Sequence, residues 1–154
     1  MSSDFCCGTA LSFYVCEEAR ERGISFSAPR PLDAGYDLPS LFDVSLSAGE
    51  RRLIRTGIHI AVPEGWVGVI KDRSSVASRG GEISAGVIDS AYRGEVKVLM
   101  RNAGAEELTF KSGDRIAQLL VLLHSPGNEV VEVSSLEDLG VTLRGEGGFG
   151  STGR

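Results

Sequence analysis

Gly86-Val87-Ile88-Asp89, followed by Ser90-Ala91-Tyr92-Arg93-Gly94, is the segment best suited to acid–base work. Asp89 comes directly after two apolar residues, and a partly enclosed carboxylate has the basicity a general base needs. Tyr92 presents a flat wall three residues on, and the segment has the form of two strand ends around a tight hairpin. The competing reading is an Asp that stabilises its own turn through backbone N–H groups. Lys71-Asp72-Arg73-Ser74-Ser75 joins a guanidinium fork to two hydroxyls, a set that suits phosphate oxygens, although a solvated loop has the same composition. Gln118 is the odd polar residue in the apolar run 116–123. Left unpaired in a core it costs ~1–3 kcal/mol, so it is either a hydrogen-bonded core residue or a site residue. Asp37, within Asp33-Ala34-Gly35-Tyr36-Asp37-Leu38, adds a carboxylate, with turn formation as its plainer role.

Arg144-Gly145-Glu146-Gly147-Gly148-Phe149-Gly150-Ser151-Thr152 contains the pattern G-x-G-x-x-G. A dinucleotide fold needs a helix after the glycines and an acidic residue ~20 positions on. The sequence stops at Arg154, and no Lys follows the glycines as a P-loop requires. What remains is bare backbone N–H groups able to approach phosphates, Arg144, the hydroxyl of Ser151 and the face of Phe149, or else a polar tail. His59 and His124 are too isolated for a metal site or a triad, and no Ser stands on a nucleophile elbow.

A scaffold of short strands must position these groups. Ile58, Ile60 and Val62 alternate with His59 and Ala61, and 66–70 resumes after the turn Pro63-Glu64-Gly65. Val96, Val98 and Met100 alternate with Lys97, Leu99 and Arg101; Leu108 and Phe110 precede Ser112-Gly113-Asp114. The run 116–123 reads as a strand buried on both faces, and 130–133 as one more short strand. Residues 17–22 form at most one helical turn. The chain has 20 Gly and 5 Pro in 154 residues, too much punctuation for long helices. All-β is therefore predicted, a sandwich or barrel of one domain. Its expected limits are an extension over 1–10, a β domain over 11–143 and a mobile glycine-rich tail over 144–154.

The 16 basic and 21 acidic residues give a net charge of −5, which argues against non-specific nucleic-acid binding. A local cluster of arginines or a metal can still draw an anionic small molecule. No apolar run approaches the ~20 residues of a membrane span. Three cysteines, Cys6, Cys7 and Cys16, make neither a disulfide framework nor a zinc template, so a reducing cytoplasm is expected.

Five segments in this order resemble the signature motifs of the trimeric all-β dUTPase family: 34–38, 73–75, 86–94, 113–119 and 144–153. The likeness runs from about residue 11 to residue 153. It implies a distorted jelly roll and hydrolysis of dUTP to dUMP and pyrophosphate with Mg²⁺, limiting uracil in DNA. By the family pattern, Asp89 activates the water that attacks the α-phosphorus, and Gln118 holds that water or a phosphate. Arg73, Ser74, Ser75 and Arg144 take phosphate oxygens. The backbone of Gly86, Val87 and Ile88 reads uracil, Tyr92 packs under the deoxyribose, and Lys97 stands at a further contact position. Phe149, with Gly150 and Ser151, closes over the base. Mg²⁺ is held mainly by phosphates and waters, with Asp37 behind a water. Each site is shared in a homotrimer, one subunit lending its tail to another. Ala91, Ser75 and Ile83 depart from the commoner family residues.

The same fold serves dCTP deaminases, which need a proton-shuttling glutamate; by the family pattern it falls near Leu99, which cannot move a proton. A non-catalytic binding protein on this fold is the other alternative, and it predicts loss of residues such as Asp89, Gln118, Arg144 and Phe149, all of which are present.

Overall fold

The period-two stretches become strands. A computed structural model describes residues 10–125 and 129–142. Two four-stranded antiparallel sheets and a two-stranded ribbon surround one apolar core. The first sheet has the order β1 (Ser12–Val15), β4 (Arg51–Ala61), β8 (Glu95–Asn102), β6 (Gly81–Ser84). The second runs β2 (Tyr36–Pro39), β10 (Arg115–Leu123), β5 (Trp66–Lys71), β7 (Val87–Ile88). β3 (Val44–Leu46) and β9 (Leu108–Phe110) pair with each other. The helices are short: α1 (Glu17–Glu21), the single turn expected there, and α2 (Ser74–Ala77). No helix among the described residues is long and apolar enough to cross a membrane.

Alternation sets which side chains enter the core. Along β8, Val96, Val98, Met100 and Asn102 are buried while Lys97 and Arg101 face out. β4 follows the same rule except at a bulge between Arg55 and His59, where its register on β8 shifts. There Gly57 has φ +72°, and a Cβ would stand 2.6 Å from that of Ala19. The bulge is closed by side chains: the Thr56 hydroxyl donates to the Val96 carbonyl at 2.6 Å, and Glu95 accepts the Gly57 N–H at 2.9 Å. Bulges of this kind re-aim a strand. Here the second half of β4 is freed to pair with β1.

Three expectations need correction. The segment 86–94 is not a hairpin between paired strands: β7 pairs with β5 in one sheet and β8 with β4 and β6 in the other, so its turn crosses between sheets. The strand 116–123 is buried only in its first half; Leu122 and Leu123 are exposed. The stretch 130–133 is not a strand, and Val130 is 95% exposed. Its apolar residues have β propensity, but a strand exists only with a partner to satisfy its backbone.

Candidate active site

β10 is the central positioning element. A register shift between Arg115 and Ala117 puts Ile116 and Ala117 both into the core and leaves Gln118 half-buried. Gln118 lies opposite Asp37 on β2 and opposite Lys71 on β5, which brings three sequence segments to one place. Its Nε2 donates to the Asp72 carbonyl at 2.7 Å. Gln118 is thus a hydrogen-bonded side chain that also forms part of a cavity wall.

That cavity, about 690 Å³, is lined by Asp37, Arg73, Ser74, Arg115 and Gln118, with Asp33, Gly35 and most of the 22–30 loop among its other walls. Asp37 is ion-paired with Arg73 and, at 3.2 Å, with Arg115. Burial pushes the Arg73 guanidinium below the usual arginine value, helped by the like charges of Arg115 and Arg30. An arginine so lowered remains cationic at neutral pH. Four arginines, Arg22, Arg30, Arg73 and Arg115, line the cavity with two carboxylates, Asp33 and Asp37, which leaves a surplus of positive charge that suits a polyanion. Ser75, one residue further along α2, is exposed and does not line this cavity. Arg115 and Arg30 were not singled out from the sequence: arginine in a polar segment carries no periodic signal, and only the fold brings these two exposed side chains to the rim of one space.

A second cavity of about 310 Å³ holds Gly86, Val87, Ile88, Asp89, Tyr92 and Lys97, together with Leu53, Ile70 and Glu95. It shares no lining residue with the first. Ala85 (φ 58°) and Gly86 (φ 98°) turn the chain into β7, and a Cβ on Gly86 would lie 2.9 Å from that of Ile70. Ile88 enters the core, so its neighbours Val87 and Asp89 face out. The enclosure expected for Asp89 is thus absent within one chain: its carboxylate is exposed. The turn itself is firm. The Tyr92 N–H donates to the Asp89 carbonyl at 3.0 Å, and Arg93 Nη1 donates to the Ser90 and Tyr92 carbonyls at 2.6 and 2.7 Å. The Tyr92 hydroxyl donates to the Glu95 carbonyl at 2.9 Å, which lays the ring over Gly94.

The described residues contain no group of three or more His, Cys, Asp or Glu side chains that could hold a metal ion. Arg144, Phe149, Gly150 and Ser151 lie outside the described residues, as do Cys6 and Cys7. Cys16 is a free thiol.

With two separate cavities in view, comparison with known proteins decides the family. The dUTPase family model matches residues 22–153. The chain belongs to the dUTPase family. A deoxyuridine 5'-triphosphate nucleotidohydrolase of Corynebacterium jeikeium is 49% identical over 127 residues, covering 80% of this chain and 81% of that protein. One from Mycobacterium tuberculosis is 49% identical over 127 residues, covering 79% and 82%. Among solved structures, the Staphylococcus bacteriophage 80alpha dUTPase with dUpNHpp superposes with a TM-score of 0.81 at 28% identity, over 94% of this chain and 99% of that one. The EIAV dUTPase gives a TM-score of 0.70 at 27% identity, over 81% and 98%. The all-β architecture is thus that of the dUTPases.

Proposed function

We propose that this chain hydrolyses dUTP to dUMP and pyrophosphate at sites completed between copies of itself. The observation that carries the reading is the separation of the two cavities: arginines, Ser74 and Gln118 line one, Asp89 and Tyr92 the other. A site needing both must join two different surfaces, and such a head-to-tail contact is satisfied throughout only when the copies close into a ring. The dUTPase resemblance makes that ring a homotrimer.

In this reading the arginine-lined cavity takes the triphosphate on Arg73 and Ser74, Ser75 meets it only from outside that cavity, and the neighbouring copy supplies the nucleoside side. β7 is an edge strand, so its free backbone groups offer a donor–acceptor pattern to the edge of uracil. Tyr92 forms the floor under the deoxyribose, with Lys97 beside it. Asp89 takes a proton from a water whose oxygen attacks the α-phosphorus. The bond from that phosphorus to the bridging oxygen breaks, pyrophosphate leaves, and the proton passes from Asp89 to solvent. A base of this kind contributes ~10²–10⁴ in rate. Docking against a neighbour also supplies the enclosure that Asp89 lacks in one chain. Arg144 and Phe149, with Gly150 and Ser151, close the site from the tail.

Mg²⁺ fits as an ion carried on the triphosphate. Asp37 is already matched by Arg73 and Arg115, which leaves it to meet the ion through water. When bound, the ion would neutralise phosphate charge. A reducing cytoplasm suits the odd cysteine count.

Product analysis tests the reading. Incubation with Mg²⁺ should convert dUTP to dUMP and pyrophosphate and leave dCTP untouched. Ammonia released from dCTP would instead make the chain a deaminase, and no turnover of either would leave a binding protein.

A further inference from the structure

Asp72 has no part in the reaction above, yet it joins the two sheets beside the arginine-lined cavity. Its Oδ1 accepts the Ile83 backbone N–H at 2.7 Å, and its own carbonyl accepts the Gln118 amide N–H at 2.7 Å. Ile83 belongs to β6, the edge strand of the first sheet, whose one ladder partner is β8. Gln118 belongs to β10, in the interior of the second sheet. The residue just before Asp72 is Lys71, the cross-strand partner of Gln118, and the residue just after it is Arg73. A carboxylate accepting a strand's free N–H is a strong, directional tie. It replaces the ladder bond that an edge strand otherwise lacks.

The Asp72 backbone carbonyl sets the sense of the Gln118 amide. A carbonyl oxygen must face a donor, so the nitrogen of Gln118 points at Asp72 and Oε1 points away. Oε1 lies 3.0 Å from where a Cβ on Gly35 would stand, on the wall of the arginine-lined cavity. We propose that Asp72 is a positioning residue for Gln118: by gripping β6 it fixes the carbonyl that orients the Gln118 side chain in the phosphate cavity. The inference rests on Gln118 belonging to the active site, and it adds the group that aims it. Displacements near 1 Å at reacting groups cost up to about 10²-fold in rate.

Four variants test it on dUTP: Asp72→Ala, Asp72→Asn, Gln118→Ala and the double Asp72→Ala/Gln118→Ala. Asp72→Ala should lower kcat about tenfold or more with KM changed by less than about threefold, the signature of a group acting on the chemical step. Asp72→Asn keeps an acceptor at Oδ1 and should stay within about threefold of the parent. In the Gln118→Ala background, Asp72→Ala should cost nothing further, because the side chain it aims is gone. A general loss of folding would instead multiply the two effects. Parent-like kcat in Asp72→Ala, an Asp72→Asn as slow as Asp72→Ala, or multiplicative losses in the double variant each overturn the inference while leaving Gln118 in the site. Parent-like turnover in Gln118→Ala overturns the site assignment and this inference with it. Should Asp72→Ala not fold, Asp72→Glu moves the acceptor by one methylene and carries the same expectations.

Discussion

Tyr92 lies back over its own chain because residue 94 is a glycine. A Cβ at that position would stand 2.3 Å from the Tyr92 hydroxyl, which is committed to the Glu95 carbonyl at 2.9 Å. What the side chain offers a nucleotide is therefore its ring, not its hydroxyl. Tyr92→Ala should then reduce the dUTP/UTP ratio of kcat/KM by about tenfold or more, since a floor that excludes a 2′-hydroxyl is removed. An unchanged ratio would take Tyr92 out of that role. Asp89→Asn should keep nucleotide affinity and lower kcat by about 10²-fold or more, read by steady-state kinetics beside equilibrium binding of a non-hydrolysable analogue. Both residues were legible in the sequence as a carboxylate and a wall three positions apart. The exposure of Asp89 was not, because the apolar pair before it suggested enclosure, whereas the strand that buries Ile88 turns its neighbours outward.

At the scale of elements, the sequence shows faces and not partners. Periodicity identified β8 and the second half of β4 from Val96, Val98, Met100, Ile58 and Ile60, all of them buried. It could not say that β7 and β8, six residues apart, belong to different sheets, since pairing is decided by the core they jointly cover. Nor could it show the bulge at Gly57, which depends on Thr56 and Glu95 replacing ladder bonds. Asn102 is a similar hidden tie at the end of β8. It is fully buried; its Nδ2 donates to the Leu46 and Glu106 carbonyls at 2.9 and 2.8 Å, and its Oδ1 accepts the Gly104 N–H at 2.9 Å. Asn102→Leu removes all three bonds from groups packed at the joint between β8 and the ribbon. It should cost about 3 kcal/mol or more, seen as a lower midpoint in urea.

Between β3 and β9 the charge pair Lys111–Asp43, 2.8 Å, is exposed. The Lys111 ammonium, with the Ser112 N–H, holds the Asp43 carboxyl below its ordinary 3.8. A lowered carboxylate stabilises the fold fully above its unfolded value and loses that contribution as pH falls through the lower folded value. Asp43→Asn should therefore narrow the difference in melting temperature between pH 7 and pH 3, by little because the pair is in water. A parent-like difference would remove Asp43 from the acid response.

For the whole molecule, apolar residues near the end of the described chain, Val130, Val131, Leu136, Leu139 and Val141, are all exposed. Of these only 130–133 read as a strand, and among the described residues nothing pairs with it. Removing residues 144–154 should leave the mass of the assembly nearly unchanged while hydrolysis falls to a small fraction of the parent rate. A truncated chain as active as the parent would make the glycine-rich end a polar tail and nothing more.

If each site is completed by a second copy, mixing two inactive chains shows it most directly. Arg73→Ala damages one cavity and Asp89→Asn the other. Each chain alone should be nearly inactive. Co-refolded in equal amounts as random rings, they should recover about a quarter of the parent rate, because one neighbouring pair in four unites an intact phosphate cavity with an intact Asp89. If both cavities of a site belonged to one chain, every site would carry one lesion, and the mixture would stay as inactive as its components.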